Sequence, residues 1–462
     1  MSDSNSVPKN KSLSKIKSSL FERSLSVAKI GLNAGLKYAA QKVSSQNDPD
    51  KFNAFLTSQA QFISSELGEL KGSLMKAGQM LSMYGEYFFP PEANQFLKLL
   101  QTDSPPLEYS EIKKILETYL EPEILDELEI DPQCIGSASM GQVHKAIIKS
   151  TGEKIALKIQ YPHVDKAIDS DIKALKTLLT MSKLLPSGIQ LDPVMSEVKE
   201  MLLQELDYKL EAQLTRTYRE HVLSIPESTS MFIVPQVYER YSSAKTLATE
   251  YIEGFKADHA LIQALPQKRR DRLAENFLDL YQKEIFEWNF VQTDPHLGNY
   301  KILIDPLGYD RIALIDFGAS RKFSESFINS YRRMIKGSVT GDLSVLHQAC
   351  RELGFIQETD SAEYIQVFTD FCFSTVEPFW THNDPRNHQQ KVDNQGFYHW
   401  KQNDLPGRVV KKALQFKNFD LRTPPKEILF MDRKTGGVFI FLSVLNCRIN
   451  ARKVIDPYLN KI

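Results

Sequence analysis

The chain is predicted to be an α+β protein in two parts, on three observations. A strand-rich stretch begins near Ile135 and holds two β-like runs, Gln142 to Lys149 and Lys154 to Gln160, which Ser150-Thr151-Gly152-Glu153 joins as a hairpin. Beyond Gly254 the pattern is mainly helical. Ahead of both, Ile63, Leu67, Leu70, Leu74 and Leu81 recur on one stripe at ~100° per residue, which predicts a helix over Gln59 to Met83. Its opposite stripe, Gly72, Lys76, Gln79 and Met83, lacks the charge of an ordinary surface helix. The pattern alone allows a solvent face with an incidental Met, the plainer reading, or a face covered by another part of the molecule.

The other elements follow in order. After Pro90-Pro91 and Pro105-Pro106 a helix is expected from Tyr109 to about Leu128. One long helix is expected from Asp192 to His221, then short strands at Phe232 to Tyr238 and Thr246 to Ile252. A polar loop at Asp294 to Asn299 precedes strands at Tyr300 to Ile304 and Arg311 to Ile315. Val438 to Leu445 is about half the ~20 apolar residues a membrane span needs, and reads as a core helix.

The formal net charge of −1 gives no bulk attraction to nucleic acid, and no nucleic-acid partner is expected. The four cysteines, Cys134, Cys350, Cys372 and Cys447, are scattered and form no C-x-x-C pair, which suits a reducing compartment. Residues 1–46 carry Lys9, Lys11, Lys15, Lys17, Arg23, Lys29, Lys37 and Lys42 against Asp3 and Glu22. This arm reads either as a solvated tail or as a basic helix lying on anionic lipid, with a transit peptide as a third reading. No continuous apolar run opens the chain, so a secretory signal is not expected.

Four motifs carry chemistry. Gly136-Ser137-Ala138-Ser139-Met140-Gly141-Gln142-Val143 follows the phosphate-loop pattern G-x-G-x-x-G-x-V, with Ala138 at the middle glycine, where its methyl restricts approach of backbone amides to phosphate. Ile155-Ala156-Leu157-Lys158 fits the strand whose Lys binds α- and β-phosphates, and a Lys so placed needs an anionic partner; Glu211 is the candidate. Asp294-Pro295-His296-Leu297-Gly298-Asn299 has the spacing of a catalytic loop whose Asp orients or deprotonates an acceptor hydroxyl and whose Asn holds a metal. Asp316-Phe317-Gly318 follows the apolar strand Ile312-Ala313-Leu314-Ile315, which places Asp316 as an Mg²⁺ ligand. The backbone of Glu250 and Ile252 sits where a hinge would hold adenine. In this order the motifs predict a two-lobed protein-kinase-like fold binding ATP and Mg²⁺. No A-P-E follows Asp316 and no long Ser/Thr-bearing segment precedes the helix at Glu325, which disfavours a protein substrate.

The chain resembles the UbiB, or aarF-domain-containing, family of atypical kinases. Lys71-Gly72 with Lys76-Ala77-Gly78-Gln79 looks like its K-x-G-Q signature, Gly136 to Gln142 like its alanine-rich loop, Glu205-Leu206-Asp207-Tyr208 with Glu211-Ala212 like its E-x-D motif, and Thr293 to Asn299 like its catalytic loop. The resemblance implies a helical extension carrying K-x-G-Q, covered on both sides, which changes the reading of the Gln59 to Met83 helix. It divides the chain into an arm (1–46), the extension (47–128), an N-lobe (129–253) and a mainly helical C-lobe (254–462). On a continuous helix Asp207 and Glu211 share a face that Glu205 does not, so Glu211 is assigned to Lys158, and Glu205 and Asp207 to a nucleotide–metal site or to Lys76. Lys76, Gln79, Glu205 and Asp207 are read as regulatory. The implied activity is ATP hydrolysis or small-molecule phosphorylation in ubiquinone or other prenyl-lipid metabolism. The setting would be peripheral on a membrane, cytoplasmic or in an organelle matrix, with membrane lipids, quinone precursors and other lipid-biosynthesis proteins as partners. Two alternatives remain: a nucleotide-gated lipid scaffold with little turnover, and a hydroxyl kinase of the aminoglycoside or choline type.

Overall fold

The structure, a computed structural model, describes residues 73–88, 97, 106–137, 140–182, 191–225, 231–413, 415–416, 419 and 425–460. The basic arm, the first part of the K-x-G-Q helix with Lys71 and Gly72, and loop residues Ala138 and Ser139 lie outside them. The chain forms two compact units, one of residues 1–213 and 236–251, the other of residues 214–235 and 252–462.

The first unit is built on a four-stranded antiparallel sheet, in the order β1 (Leu128–Ser137), β2 (Gly141–Ile148), β3 (Lys154–Gln160), β5 (Thr246–Glu250). β2 and β3 form the expected hairpin. Gly152 takes φ 74°, the left-handed conformation its tight turn requires, and donates its N–H to Ile148 O at 2.8 Å. The expected Tyr109 to Leu128 helix is two helices, α2 (Tyr109–Tyr119) and α3 (Pro122–Asp126), and Leu128 already belongs to β1. Pro122 explains the break, since proline is accommodated in the first turn of a new helix and not inside an old one.

Helix α1 (Ser73–Phe88) packs on α4 (Val164–Ser182) and α5 (Leu191–Glu205). Ser73, Leu74, Met75, Ala77, Met80, Leu81 and Ser82 are buried, while Lys76 and Gln79 are half-buried, so this helix is covered around most of its circumference. Helix α4 lies within residues 161–190, over which the sequence analysis predicts no element.

The expected single helix from Asp192 to His221 is also two, α5 and α6 (Tyr208–Leu223), separated at Leu206-Asp207. Asp207 causes the restart: its Oδ1 accepts from Leu210 N at 3.0 Å, which satisfies an orphan donor of the first turn of α6. The ideal-helix geometry used to divide Glu205, Asp207 and Glu211 therefore does not apply across this point.

The second unit contains the three-stranded sheet β4 (Phe232–Ile233), β8 (Arg311–Leu314), β7 (Tyr300–Leu303), the ribbon β6 (Phe290–Gln292) with β9 (Ser320–Lys322), and the helices. Of the expected Phe232 to Tyr238 strand only β4 is regular, with Val237 making an isolated bridge to Thr249 in the first unit's residue set. Two helices matter for the site. α7 (Gln267–Phe286) buries Phe277, Leu278, Tyr281, Glu284 and Ile285 along one stripe. α8 (Lys426–Val444) contains the expected Val438 to Leu445 core segment up to its cap residue Leu445, and buries Ile428, Leu429, Phe430, Met431, Val438, Phe439, Phe441 and Leu442. Its Phe441 ring packs 4.1 Å from that of Phe277 and 5.4 Å from that of Tyr300, centroid to centroid, the latter an edge-on pair at a favourable spacing. No helix among the described residues is long and apolar enough to cross a membrane.

Candidate functional site

In the first unit, Lys158 Nζ lies 2.8 Å from both Glu211 Oε1 and Oε2. Lys158 is in β3 and Glu211 in the first turn of α6, so the strand and the restarted helix together set this pair. The side chains are 24% and 5% exposed, which leaves the ammonium partly open to a ligand while the carboxylate is desolvated and paired. The ammonium also stands 5.2 Å from the Tyr208 ring centroid, a cation–π contact. Val143 pairs with Lys158 across the β2–β3 ladder, and directly opposed residues share a sheet face.

The loop ends differ from one another. A Cβ on Gly136 would meet nothing within 4 Å, so the backbone there is open to approach. At Gly141 a Cβ would come 2.6 Å from Ile159 O and 2.9 Å from Tyr208 Oη; this glycine is required by packing against the strand and α6 rather than by a phosphate. Ser137 Oγ is 3.4 Å from Tyr161 Oη. Burial pushes the Tyr161 hydroxyl up to about 12, so it remains a donor, and it donates to Gln142 Oε1 at 3.0 Å. His144 Nδ1 faces the carbonyl of Asp131 at 2.8 Å and must donate, which leaves Nε2 to accept from Gln142 Nε2 at 2.8 Å. These bonds fix the Gln142 side chain near the start of β2.

Glu250 spends its N–H on Gln236 O (2.8 Å), so that proton is unavailable to a ligand; Ile252 follows outside any regular element. Lys76 Nζ lies 2.7 Å from Glu205 Oε1. Asp207 caps α6 and is exposed, and Gln79 is half-buried on α1.

In the second unit, the loop after β6 carries Asp294 and Asn299. Asn299 Nδ2 donates to Asp294 O (3.0 Å) and Asp294 Oδ2 (3.2 Å); both partners are acceptors, which fixes the amide orientation, and neither bond uses Oδ1, the atom able to ligate a metal. Ile315 N donates to Asn299 O (3.0 Å) and Thr293 Oγ1 to Ala319 O (2.7 Å), so the loop is stitched to the strand end bearing Asp316. Asp316 Oδ1 accepts from Gly318 N at 3.1 Å. Phe317 is fully buried, its ring 4.6 Å from that of Tyr218. His296 is exposed and accepts from Gly298 N through Nδ1, a structural role. Between Gly318 and the helix starting at Glu325 the chain is short, and Ser320–Lys322 of it is strand β9.

Two residues the sequence reading missed touch this loop from α8. Arg433 Nη2 is 2.5 Å from Asp294 Oδ1, so both oxygens of the Asp294 carboxylate are engaged. A Cβ on Gly437 would stand 2.2 Å from both Cβ and Cγ of Pro295. The available signal was the pattern Arg433-Lys434-x-Gly436-Gly437 between the apolar runs Ile428 to Met431 and Val438 to Leu442. Gly437→Ala should destabilise the protein by about 1–3 kcal/mol, the usual overpacking penalty, and lower any turnover that depends on Asp294. Denaturant unfolding beside a turnover assay checks this; a variant equal to wild type in both shows that the loop moves aside without consequence.

The chain matches the ABC1 atypical kinase-like domain over residues 99–350. It is 30% identical over 401 residues to the mitochondrial atypical kinase coq-8 of Caenorhabditis elegans, covering 86% of this chain and 50% of that protein. It is 27% identical over 442 residues to the mitochondrial atypical kinase COQ8 of Saccharomyces cerevisiae, covering 95% and 83%. The match thus spans half the length of the nematode relative. Among solved structures, that of Rv3197 with erythromycin from Mycobacterium tuberculosis superposes with a TM-score of 0.58 at 25% identity, covering 89% of this chain and 98% of the other. With the lysine–glutamate pair in its sheet unit and the Asp/Asn loop stitched to Asp-Phe-Gly in its helical unit, the chain has a kinase-like fold and belongs to the ABC1, or UbiB, family of atypical kinases.

Proposed function

We propose that this protein is an ATP- and Mg²⁺-dependent atypical kinase or ATPase that supports ubiquinone or other prenyl-lipid metabolism at a membrane surface. The observation that carries this reading is the loop of Asp294 and Asn299 bonded to the strand end of Asp316, the arrangement phosphoryl transfer uses to hold a metal beside an acceptor. Membership of an atypical kinase family supports the nucleotide. The names of the COQ8 relatives, which call them mitochondrial, support the organelle setting over the cytoplasm.

The donor set fits Mg²⁺. Asp316 offers carboxylate oxygens and Asn299 an amide oxygen, both hard donors, and Mg²⁺ is commonly held by one or two such groups together with substrate phosphates and water. Asp316 and Asn299 would hold such an ion, which would supply positive charge beside the nucleotide phosphates. Lys158, oriented by Glu211, holds α- and β-phosphates. Asp294 orients the acceptor oxygen. A carboxylate has about four lone-pair sites, so Asp294 can share one with an acceptor while keeping Arg433 and Asn299.

The acceptor is a small molecule or water. The short connection from Gly318 to Glu325, part of it paired as β9, leaves no long segment for docking a peptide. The erythromycin held by the mycobacterial relative supports a bulky non-peptide ligand. The Lys76–Glu205 pair ties the K-x-G-Q helix to the E-x-D segment, in keeping with a regulatory role.

The test is ATP turnover by the purified protein, with and without Mg²⁺, anionic liposomes and prenylated quinone precursors. Mg²⁺-dependent turnover stimulated by liposomes or precursor is expected. Absence of both nucleotide binding and turnover under all these conditions refutes the reading.

A further inference from the structure

Helix α8 places a buried ion pair behind the catalytic loop. Lys434 Nζ lies 2.7 Å from Glu284 Oε2, with side chains 2% and 1% exposed. Residues so fully buried and charged are costly unless the arrangement uses them. Glu284 uses its other oxygen on two donors: Tyr218 Oη at 2.9 Å and the backbone N of Gln292 at 3.1 Å. Burial and the neighbouring Glu284 carboxylate hold the Tyr218 hydroxyl well above its usual range, so it stays a donor.

Gln292 is the last residue of β6, itself 1% exposed. Its side-chain Nε2 donates to Asp294 O at 2.7 Å and to Asp316 O at 3.3 Å. One amide group thus bonds the main chain of the loop acid and of the metal-site acid, which are 22 residues apart in sequence (316 − 294). Its Oε1 faces Tyr300 Oη at 3.5 Å. An amide with two N–H donors is the side chain that can hold two carbonyls at once; a carboxylate or an apolar group of that size cannot.

We propose that Gln292 is a positioning residue that sets the spacing of Asp294 and Asp316, and that the Glu284–Lys434 pair holds Gln292 in place. This rests on the proposed phosphoryl-transfer reading for its catalytic consequence, but not for its structural one. The chain of contacts runs from Lys434 to Glu284, from Glu284 to the Gln292 backbone, and from the Gln292 amide to both acids. Adjacent Arg433 grips the Asp294 carboxylate from the same helix. Helix α8 therefore holds Asp294 at two points, its carboxylate through Arg433 and its carbonyl through Lys434, Glu284 and Gln292.

The experiment uses the full chain with Gln292→Met, which keeps length and loses both donors, and Gln292→Asn, which keeps the amide and shortens its reach, in case the first fails to fold. Amide hydrogen exchange is followed for peptides covering 293–299 and 315–319, beside 141–160 as an internal control. The apparent Mg²⁺ constant and maximal turnover are measured on the same samples. The expected result is exchange at least about tenfold faster in both acid-bearing segments together, the control unchanged, and an Mg²⁺ constant raised at least about tenfold. In Lys434→Met the same two segments should loosen. A uniform rise in exchange across the control as well, or unchanged exchange in either segment, overturns the proposal. If wild type lacks Mg²⁺-dependent turnover, the functional reading fails while the exchange data still decide this one.

Discussion

Asp316→Asn is expected to abolish Mg²⁺-dependent nucleotide turnover, with a loss of about 100-fold or more, while the protein stays folded. The magnitude follows from removing charge at a group that stabilises a transferring phosphoryl. The fold should survive because the bond from Gly318 N to the carboxylate Oδ1, at 3.1 Å, is equally available to the carbonyl oxygen of an asparagine. Neighbouring Phe317 stays packed on Tyr218, and Ile315 N keeps its bond to Asn299 O. What changes is the net charge offered to a cation. The measurement is nucleotide binding and turnover titrated with Mg²⁺, beside an unfolding curve. Binding and turnover with a wild-type Mg²⁺ response in a folded Asp316→Asn protein remove Asp316 from the metal site.

Lys434→Met should cost about 3–5 kcal/mol of stability, because it leaves the Glu284 carboxylate buried without its counter-charge. The volume change is small, so the loss is electrostatic rather than a cavity. Combining it with Glu284→Gln removes both charges and keeps an acceptor for Tyr218 Oη and Gln292 N; the double variant should recover most of the loss, since neutral replacement of a buried pair is often nearly free of cost. Denaturant unfolding of the wild type, the single variants and the double variant gives the coupling energy. A Lys434→Met protein within about 1 kcal/mol of wild type would mean that the pair is not desolvated as its burial indicates.

What was readable beforehand was local. The β2–β3 hairpin follows from alternation and a turn carrying Gly152 at φ 74°. The Asp294 to Asn299 loop and Asp316-Phe317-Gly318 are short strings flanked by apolar strands, and they fall close to where they were expected. The Lys158–Glu211 contact was anticipated because a lysine on an interior strand needs an anion, and Glu211 begins the helix that follows. By contrast, the break at Leu206-Asp207 leaves no gap in apolar periodicity; only the cap bond from Leu210 N reveals that Asp207 starts a helix rather than sitting inside one. Gly141 matched a phosphate-loop pattern, yet the close neighbours of its Cβ position are Ile159 O and Tyr208 Oη.

The sequence by itself determined the family, the order of the chemical motifs and the α+β composition, because each depends on residues a few positions apart whose periodicity or spacing is written in the chain. Tertiary structure alone decided what surrounds those motifs. Arg433 stands 139 residues from Asp294, and nothing local to either marks them as partners. The same holds for Lys434 with Glu284 and for Gly437 with Pro295. These contacts exist because α8 buries residues from two apolar runs, Ile428 to Met431 and Val438 to Leu442, on either side of its charged middle. That burial brings Arg433 and Gly437 against the loop that Asp294 occupies, and Lys434 against Glu284.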